Sequence, residues 1–365
     1  MSERFDIAVI GAGIAGASIA AELAPHARVL VAEGEATPGY HTTGRSAAFW
    51  EECYGGPGVV PLTLASGDWL RANGFLRPRG ALYVAQEQDW GALDAFEQTF
   101  AGTGVSIERI GRAALEALVP GIRPAWTSAI TEPQCADIDV AGLHQHYLGL
   151  ARRGGADLRT RHRLVAAERM GGEWLLAFAN GTQVRATTLV NAAGAWADEL
   201  AVLAGAKALG ITPFRRTVAQ LRIDPAPPAD LPLVLGIDGS FYFKPENGKL
   251  WLSPHDETAS APCDAAPEEL DVALAIDRFE QVVDWKIAAL EHKWAGLRSF
   301  ARDRLPDYGW DTAQAGLFWF AGQGGFGIQT APAAARLAVQ ALLGGPRDAM
   351  TQAIDPAVYS PARFG

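Results

Sequence analysis

Gly11, Gly13 and Gly16, with Glu33 22 residues after the first, form the grouping in this chain best placed to do chemistry. The glycines stand as Gly-x-Gly-x-x-Gly at the end of the apolar run Ile7-Ala8-Val9-Ile10. The first permits a tight turn, the second lets a pyrophosphate come against the backbone, and the third lets the next helix pack close to the strand. Ala17 to Leu23 continues in a helical pattern, so free amides and a partial positive charge face the phosphates. Glu33 closes a second apolar run, Arg28 to Ala32, where a carboxylate accepts hydrogen bonds from a ribose diol. Strand, glycine turn, helix, strand and acid in this order read as a dinucleotide site.

Gly322-Gln323-Gly324-Gly325-Phe326-Gly327 has the same spacing, but no further strand ending in an acid follows it. It reads as a turn between a last strand, Leu317 to Ala321, and a long alanine-rich helix to Leu343. Amides at the start of such a helix stabilise negative charge on a reduced cofactor ring. One fingerprint alone predicts one dinucleotide, with no second nucleotide site beside it.

The elements that must position these residues alternate along the chain. Pro38 to Ala48 is rich in turn formers and small residues and reads as a cofactor loop leading into a helix. Helical patterns cover Pro61 to Asn73, residues 88–101 and 112–118, and Asp139 to Arg153, with Asp139 as N-cap. Gly80 to Ala85 reads as a strand, and strands at 163–169 and 174–179 flank a Gly171-Gly172 turn. Val184 to Val190 enters Asn191-Ala192-Ala193-Gly194, again strand then small-residue turn. Short strands at Arg215 to Ile223, Leu233 to Ile237, Phe241 to Lys244 and Lys249 to Ser253 have antiparallel chemistry, and Pro267 to Leu290 reads as helix. The fold class is therefore α/β: a Rossmann-type nucleotide domain of residues 1–78, 137–212 and 296–365, with an antiparallel-sheet (α+β) substrate domain of 79–136 and 213–295.

Length and charge narrow the field further. A chain of 365 residues predicts two domains. A net charge of −10 with no basic run argues against nucleic acid as a partner. Cys53, Cys135 and Cys263 are scattered with no metal spacing, which predicts a reducing compartment and no metal. No apolar stretch reaches the ~18 residues of a membrane span, and the expectation is a cytoplasmic protein.

VIGAGIAGAS, GYHTTGRSAA, LVNAAGAWAD, FYFKP, WAGLRSF and GQGGFGIQT occur in that order over nearly the whole chain. Together they resemble the FAD-dependent D-amino-acid oxidase superfamily, and within it the bacterial D-arginine dehydrogenases. The resemblance implies FAD, held non-covalently because no cysteine stands where related amine oxidases anchor it. Its adenosine half would lie on Gly11, Gly13, Ile14, Ala15, Gly16, Glu33 and Gly34. Thr43, Gly44, Arg45, Ser46 and Ala47 would follow the pyrophosphate and flavin, with Val165, Ala193, Gly194 and Trp196 as a second contacting set. Gly325, Gly327, Ile328 and Gln329 would lie under the pyrimidine edge of the ring.

The substrate side follows by the same resemblance. Arg216, Tyr242 and Arg298 match residues that hold a substrate carboxylate, a task suited to guanidinium groups because they offer paired, charged hydrogen bonds. Tyr54 matches a tyrosine that closes the pocket, and Gly325 a backbone carbonyl that receives the amine. The implied reaction is hydride transfer from the substrate Cα to flavin N5, giving an imino acid that water hydrolyses to a 2-oxo acid and ammonia. A neutral amine needs no strong side-chain base, and none is assigned; His41, His144 and His146 read as structural. The implied electron acceptor is a quinone or oxygen, the quinone being favoured.

This chain departs from the resemblance at the substrate pocket. The glutamate that pairs with an arginine side chain falls at Ala81, and a pocket histidine falls at Phe49. Without that carboxylate a buried guanidinium loses its counter-charge, so neutral or apolar D-amino acids are expected. Glu51 and Glu52 replace uncharged residues in the same loop and offer a carboxylate from another direction. A secondary amine such as sarcosine or a 2-hydroxy acid also suits paired arginines, and a flavin-binding subunit without turnover is the alternative outside enzymes.

Overall fold

The computed structural model describes residues 3–47 and 49–365. Ala48, the last residue of the sequence-predicted cofactor loop, lies outside them. Strand Glu3–Ile10 is the centre of an eight-stranded sheet, parallel to Gln183–Asn191 on one side and Val29–Ala32 on the other. The far edge of Gln183–Asn191 is shared: its first half pairs with Glu173–Phe178 and its second half with Leu317–Ala321. The sequence-predicted hairpin is present, Leu164–Met170 against Glu173–Phe178, with both turn glycines at positive φ.

Alternation fixes the layers. Ile7, Val9, Val29 and Val31 pack on one face with helices Ile14–Leu23, Val140–Arg153 and Ala331–Leu343. Ala8, Ile10, Leu30 and Ala32 pack on the other with helix Ala197–Leu203 and the hairpin. A parallel sheet buried on both faces requires such unbroken apolar runs.

The second sheet has ten strands and is antiparallel except where Leu233–Gly236 runs parallel to Ala81–Gln86. Leu82, Val84, Val234 and Phe243 face helix Glu269–Val282. Tyr83, Leu235 and Tyr242 point the opposite way, in one cluster with Phe49 and Cys53. The period of two that packs the helix therefore aims Tyr242 at the other side. A third, small sheet joins Phe49–Trp50, Ala136–Ile138 and Leu76–Pro78.

Two sequence-based expectations fail. The helix expected over Pro267 to Leu290 stops at Val282, and Lys286–Phe300 is a 15-residue strand paired along Thr212–Asp224. Lys286 to Glu291 has good helix formers, and cross-strand pairing overrides that local preference. The loop after Pro38 passes through one turn, Thr43–Arg45, into strand Phe49–Trp50; the next helix begins only at Val60. The glycine run at 322–327 is the expected turn between strand Leu317–Ala321 and helix Ala331–Leu343, and within it Gln323–Gly324 pairs with Ser299–Phe300.

Candidate active site

Gly11 sits at φ +102°, a conformation open to glycine, and a Cβ there would lie 2.4 Å from the Ala192 carbonyl. A Cβ on Gly16 would lie 1.8 Å from the Gly11 carbonyl oxygen. Gly16 thus serves helix packing and does not line the cavity. The Glu33 carboxylate accepts from the Ala12 and Glu35 amides at 2.8 and 2.9 Å, tying the acid to the glycine turn. Thr43 Oγ1 accepts from Ile14 N at 2.9 Å, and buried His144 donates from Nε2 to the Ala12 carbonyl at 2.9 Å. Both partners come from elements distant in sequence, so the turn is braced from two sides. Burial lowers the His144 pKa, as expected of a neutral donor.

Around this turn opens a cavity of about 340 Å³. Its walls include Gly11, Gly13, Ile14, Ala15, Glu33 and Gly34, then Thr43, Arg45, Ser46 and Ala47. Ala193, Gly194 and Trp196 close one side, and Gly325, Gly327 and Ile328 the far end. The Arg45 guanidinium bonds the Ala265 and Ala295 carbonyls and pairs with Asp264, so it is committed to the second sheet's loops.

Gly44 does not line the cavity; a Cβ there would meet the Gly39 carbonyl at 2.7 Å, so its absence of a side chain serves the loop. Two further residues of the expected set lie elsewhere. Val165 is 48% exposed, at an irregularity in the pairing of its strand that turns it outward. Gln329 is buried away from the cavity. Its Nε2 donates to the Glu51 carbonyl at 3.1 Å and Thr63 Oγ1 at 2.9 Å, and its Oε1 accepts from Glu51 N at 3.2 Å. It pins the chain at Glu51.

Arg216 and Arg298 reach the same cavity from neighbouring strands. Arg216 is 3% exposed. Its Nε donates to the Asp256 carbonyl at 2.7 Å and its Nη2 to Glu257 at 3.1 Å, while Nη1 has no partner. Burial, with Arg298 close by, lowers its pKa to about 10. Arg298 Nη1 donates to the Tyr54 hydroxyl at 2.7 Å. Tyr242 is buried, and its hydroxyl also lacks a partner. One buried and one half-buried guanidinium, with an idle N–H and an idle phenol, are an anion receptor: a carboxylate satisfies both donors and offsets the repulsion. Gly325 stands against this cluster, where a Cβ would lie 1.8 Å from the Tyr54 hydroxyl.

Beside it lies a second cavity of about 150 Å³, which shares Tyr242 and Arg298 with the first. Phe49 and Glu51 line it as expected, but Ala81 does not. Ala81 is buried between Glu132 and Leu233 in the sheet, and Tyr83, two residues on, provides the wall. Sequence reading missed Glu257 and Asp256, which hold Arg216, and His255, whose ring lies 5.7 Å from Tyr242. The signal for the acids was present: a buried arginine on one strand needs a counter-charge, and Asp256-Glu257 lies in the loop between Lys249–Ser253 and Thr258–Ala259, two strands that pair with the arginine's own.

Residues 6–341 match the family model for the FAD dependent oxidoreductases (DAO). The chain belongs to that family. Its fold is shared with glycine oxidase from Geobacillus kaustophilus, at 22% identity, 99% coverage of both chains and a TM-score of 0.85. L-proline dehydrogenase from P. horikoshii matches over 100% of this chain and 98% of its own, at 20% identity and TM-score 0.84. L-alpha-glycerophosphate oxidase from Mycoplasma pneumoniae, a structure with FAD bound, matches over 93% and 95%, at 19% identity and TM-score 0.84. FAD is the cofactor of this family, and the glycine turn, the Glu33 carboxylate tied to it and the cavity beyond them fit that group. Among the described residues no helix is long and apolar enough to cross a membrane, and no cluster of metal-binding side chains occurs.

Proposed function

We propose that this oxidoreductase oxidises D-α-amino acids with neutral or apolar side chains to imino acids, which water hydrolyses to 2-oxo acids and ammonia. The observation that carries this reading is the idle pair of donors, Arg216 Nη1 and the Tyr242 hydroxyl, beside half-buried Arg298 at the junction of the two cavities. The substrate carboxylate is gripped there by charged hydrogen bonds that set its orientation as well as its affinity. Its side chain enters the smaller cavity, and its Cα faces the larger one. The D configuration rests on the motif resemblance. A neutral or apolar side chain is supported by the aromatic walls of the smaller cavity, Phe49, Tyr83, Phe96 and Phe241.

Bound FAD supplies the hydride acceptor. The protein orients the substrate and excludes water. Tyr54, bonded to Arg298, and the Gly325 backbone close the site near the amine. The substrate loses a hydride from Cα and a proton from nitrogen, and a neutral amine needs no dedicated side-chain base. No cysteine lines the larger cavity among the described residues, which supports non-covalent FAD. A quinone or dye is the expected acceptor.

The test is anaerobic flavin reduction across a panel of D- and L-amino acids, sarcosine and 2-hydroxy acids, with peroxide measured after air is readmitted. Bleaching by neutral D-amino acids with little peroxide is expected. Bleaching only by a secondary amine, a hydroxy acid or L-amino acids overturns the reading.

A further inference from the structure

We propose that the smaller cavity selects amino acids whose side chain ends in an uncharged N–H group, a carboxamide above all, and that Glu51 is the residue that reads it. The inference rests on the amino-acid reading given above and names the substrate class of that same site.

The cavity has the form of a side-chain pocket. Arg298 and Tyr242, which form the carboxylate grip, stand at its junction with the larger cavity. Phe49, Tyr83, Phe96 and Phe241 make its walls. These rings leave few places for a polar side-chain tip to bond. Glu51 is one such place: it lines the cavity, is 1% exposed, and its Oε2 has no hydrogen-bond partner. Its backbone is fixed from both sides by Gln329, which sets the residue's place at the cavity wall. A buried polar atom without a partner is costly, and a ligand that pairs with it recovers that cost.

Charge decides what the ligand is. Burial raises the Glu51 pKa well above the usual carboxylate range, and buried Glu132 raises it further while Arg298 opposes. Glu132 itself is pushed up to about 7, chiefly by burial. The cationic neighbour, Arg298, is engaged by Tyr54 and by the substrate carboxylate. Of the other titratable groups at this cavity, Cys53 has its thiol pushed up by burial, and the His255 ring is bonded through Nδ1 to the Gly239 carbonyl at 2.6 Å. Burial and Glu132 together favour the neutral form of the Glu51 carboxyl. A neutral carboxyl both donates and accepts, so it matches a carboxamide, which does the same, in a paired hydrogen bond. A cationic tip would have to ionise buried Glu51 next to a second buried carboxyl, Glu132.

The test compares near-isosteric partners with and without the tip donor. In the FAD-loaded enzyme, kcat/KM for D-Gln is expected to exceed that for D-Met by about tenfold. In Glu51→Leu that ratio falls to about one, and Glu51→Gln, which keeps a donor and an acceptor, restores most of it. A second readout needs no turnover: glutaramate should raise the melting temperature of the enzyme more than 5-methylhexanoate or 6-aminohexanoate, and Glu51→Leu should erase the difference. A Gln/Met ratio unchanged in Glu51→Leu overturns the role of Glu51. A preference for D-Lys or D-Arg that strengthens as pH rises overturns the uncharged tip, because it requires the ionised carboxylate. If no amino acid reduces the flavin while the thermal shifts follow the expected order, the reaction reading fails and the pocket assignment stands.

Discussion

Arg216 and Arg298 lie diagonally on the same face of two antiparallel strands: Arg216 pairs with Gly296, and Arg298 with Phe214. Diagonal neighbours on adjacent strands are about 7–8 Å apart at the backbone, which suits two long side chains converging on one small anion. Gly296 leaves the space opposite Arg216 free of a side chain. Without a bound anion, the pair keeps one guanidinium nitrogen idle.

Replacing Arg216 by Met removes one arm of the grip. KM for a neutral D-amino acid is expected to rise about 10- to 100-fold, from the loss of about 1.5–3 kcal/mol of charged hydrogen bonding. FAD content stays at the wild-type level, since Arg216 belongs to the substrate end. Steady-state kinetics beside the visible flavin spectrum checks both halves of this expectation.

Gly16→Ala places a methyl 1.8 Å from the Gly11 carbonyl, backbone that cannot move aside without opening the nucleotide turn. The variant should purify without flavin colour and fail to take up added FAD. Retention of bound FAD at the wild-type ratio would show that the turn tolerates the shift.

Gln329→Leu leaves the Glu51 amide, the Glu51 carbonyl and Thr63 Oγ1 short of a buried partner. Each such group costs about 1–3 kcal/mol. The melting temperature should drop by at least ~3 °C, and KM should rise because the loop bearing Glu51 and Tyr54 loosens. Had Gln329 faced the flavin, the loss would appear in FAD affinity instead, which a cofactor titration measures.

Asp307 gives a pH signature away from the site. Burial pushes its carboxyl up to about 7, even though Arg363 lies 2.8 Å away, because neither carboxylate oxygen has a well-aligned hydrogen bond. The folded chain keeps this proton while the unfolded chain releases it near the ordinary aspartate value of 3.8. Stability therefore falls as pH rises through the window from about 4 to about 7, and levels off above it. Asp307→Asn removes that contribution, so its melting temperature should decline less than the wild type's between about pH 5 and about pH 8.

The nucleotide half was legible because its chemistry is local: Gly11, Gly13, Gly16 and Glu33 are spaced by one turn, one helix and one strand. The hairpin at Gly171-Gly172 and the Asp139 cap, whose side chain accepts from Gly142 N at 2.8 Å, were legible for the same reason. The strand Lys286–Phe300 was not, since its identity depends on a partner more than sixty residues away. Gln329 was placed by motif in the cofactor wall, but which way a side chain faces within a tight turn is set by packing against Glu51, far off in sequence. Val165 turns its side chain outward at a pairing irregularity, where the strict alternation that sequence reading relies on breaks, while its neighbour Leu164 lines the larger cavity. Arg216 and Arg298 were located only through the family resemblance; the idle donors beside them belong to the three-dimensional structure alone.

The most direct test of the account is anaerobic titration of the flavin absorbance with a neutral D-amino acid, on the wild type and on the Arg216→Met, Arg298→Met double variant. The account predicts that the wild type bleaches and its L enantiomer leaves the colour intact, while the double variant retains FAD and needs at least about 100-fold more substrate. A flavin that stays oxidised against every D-amino acid, or a double variant that bleaches at wild-type concentrations, would contradict it.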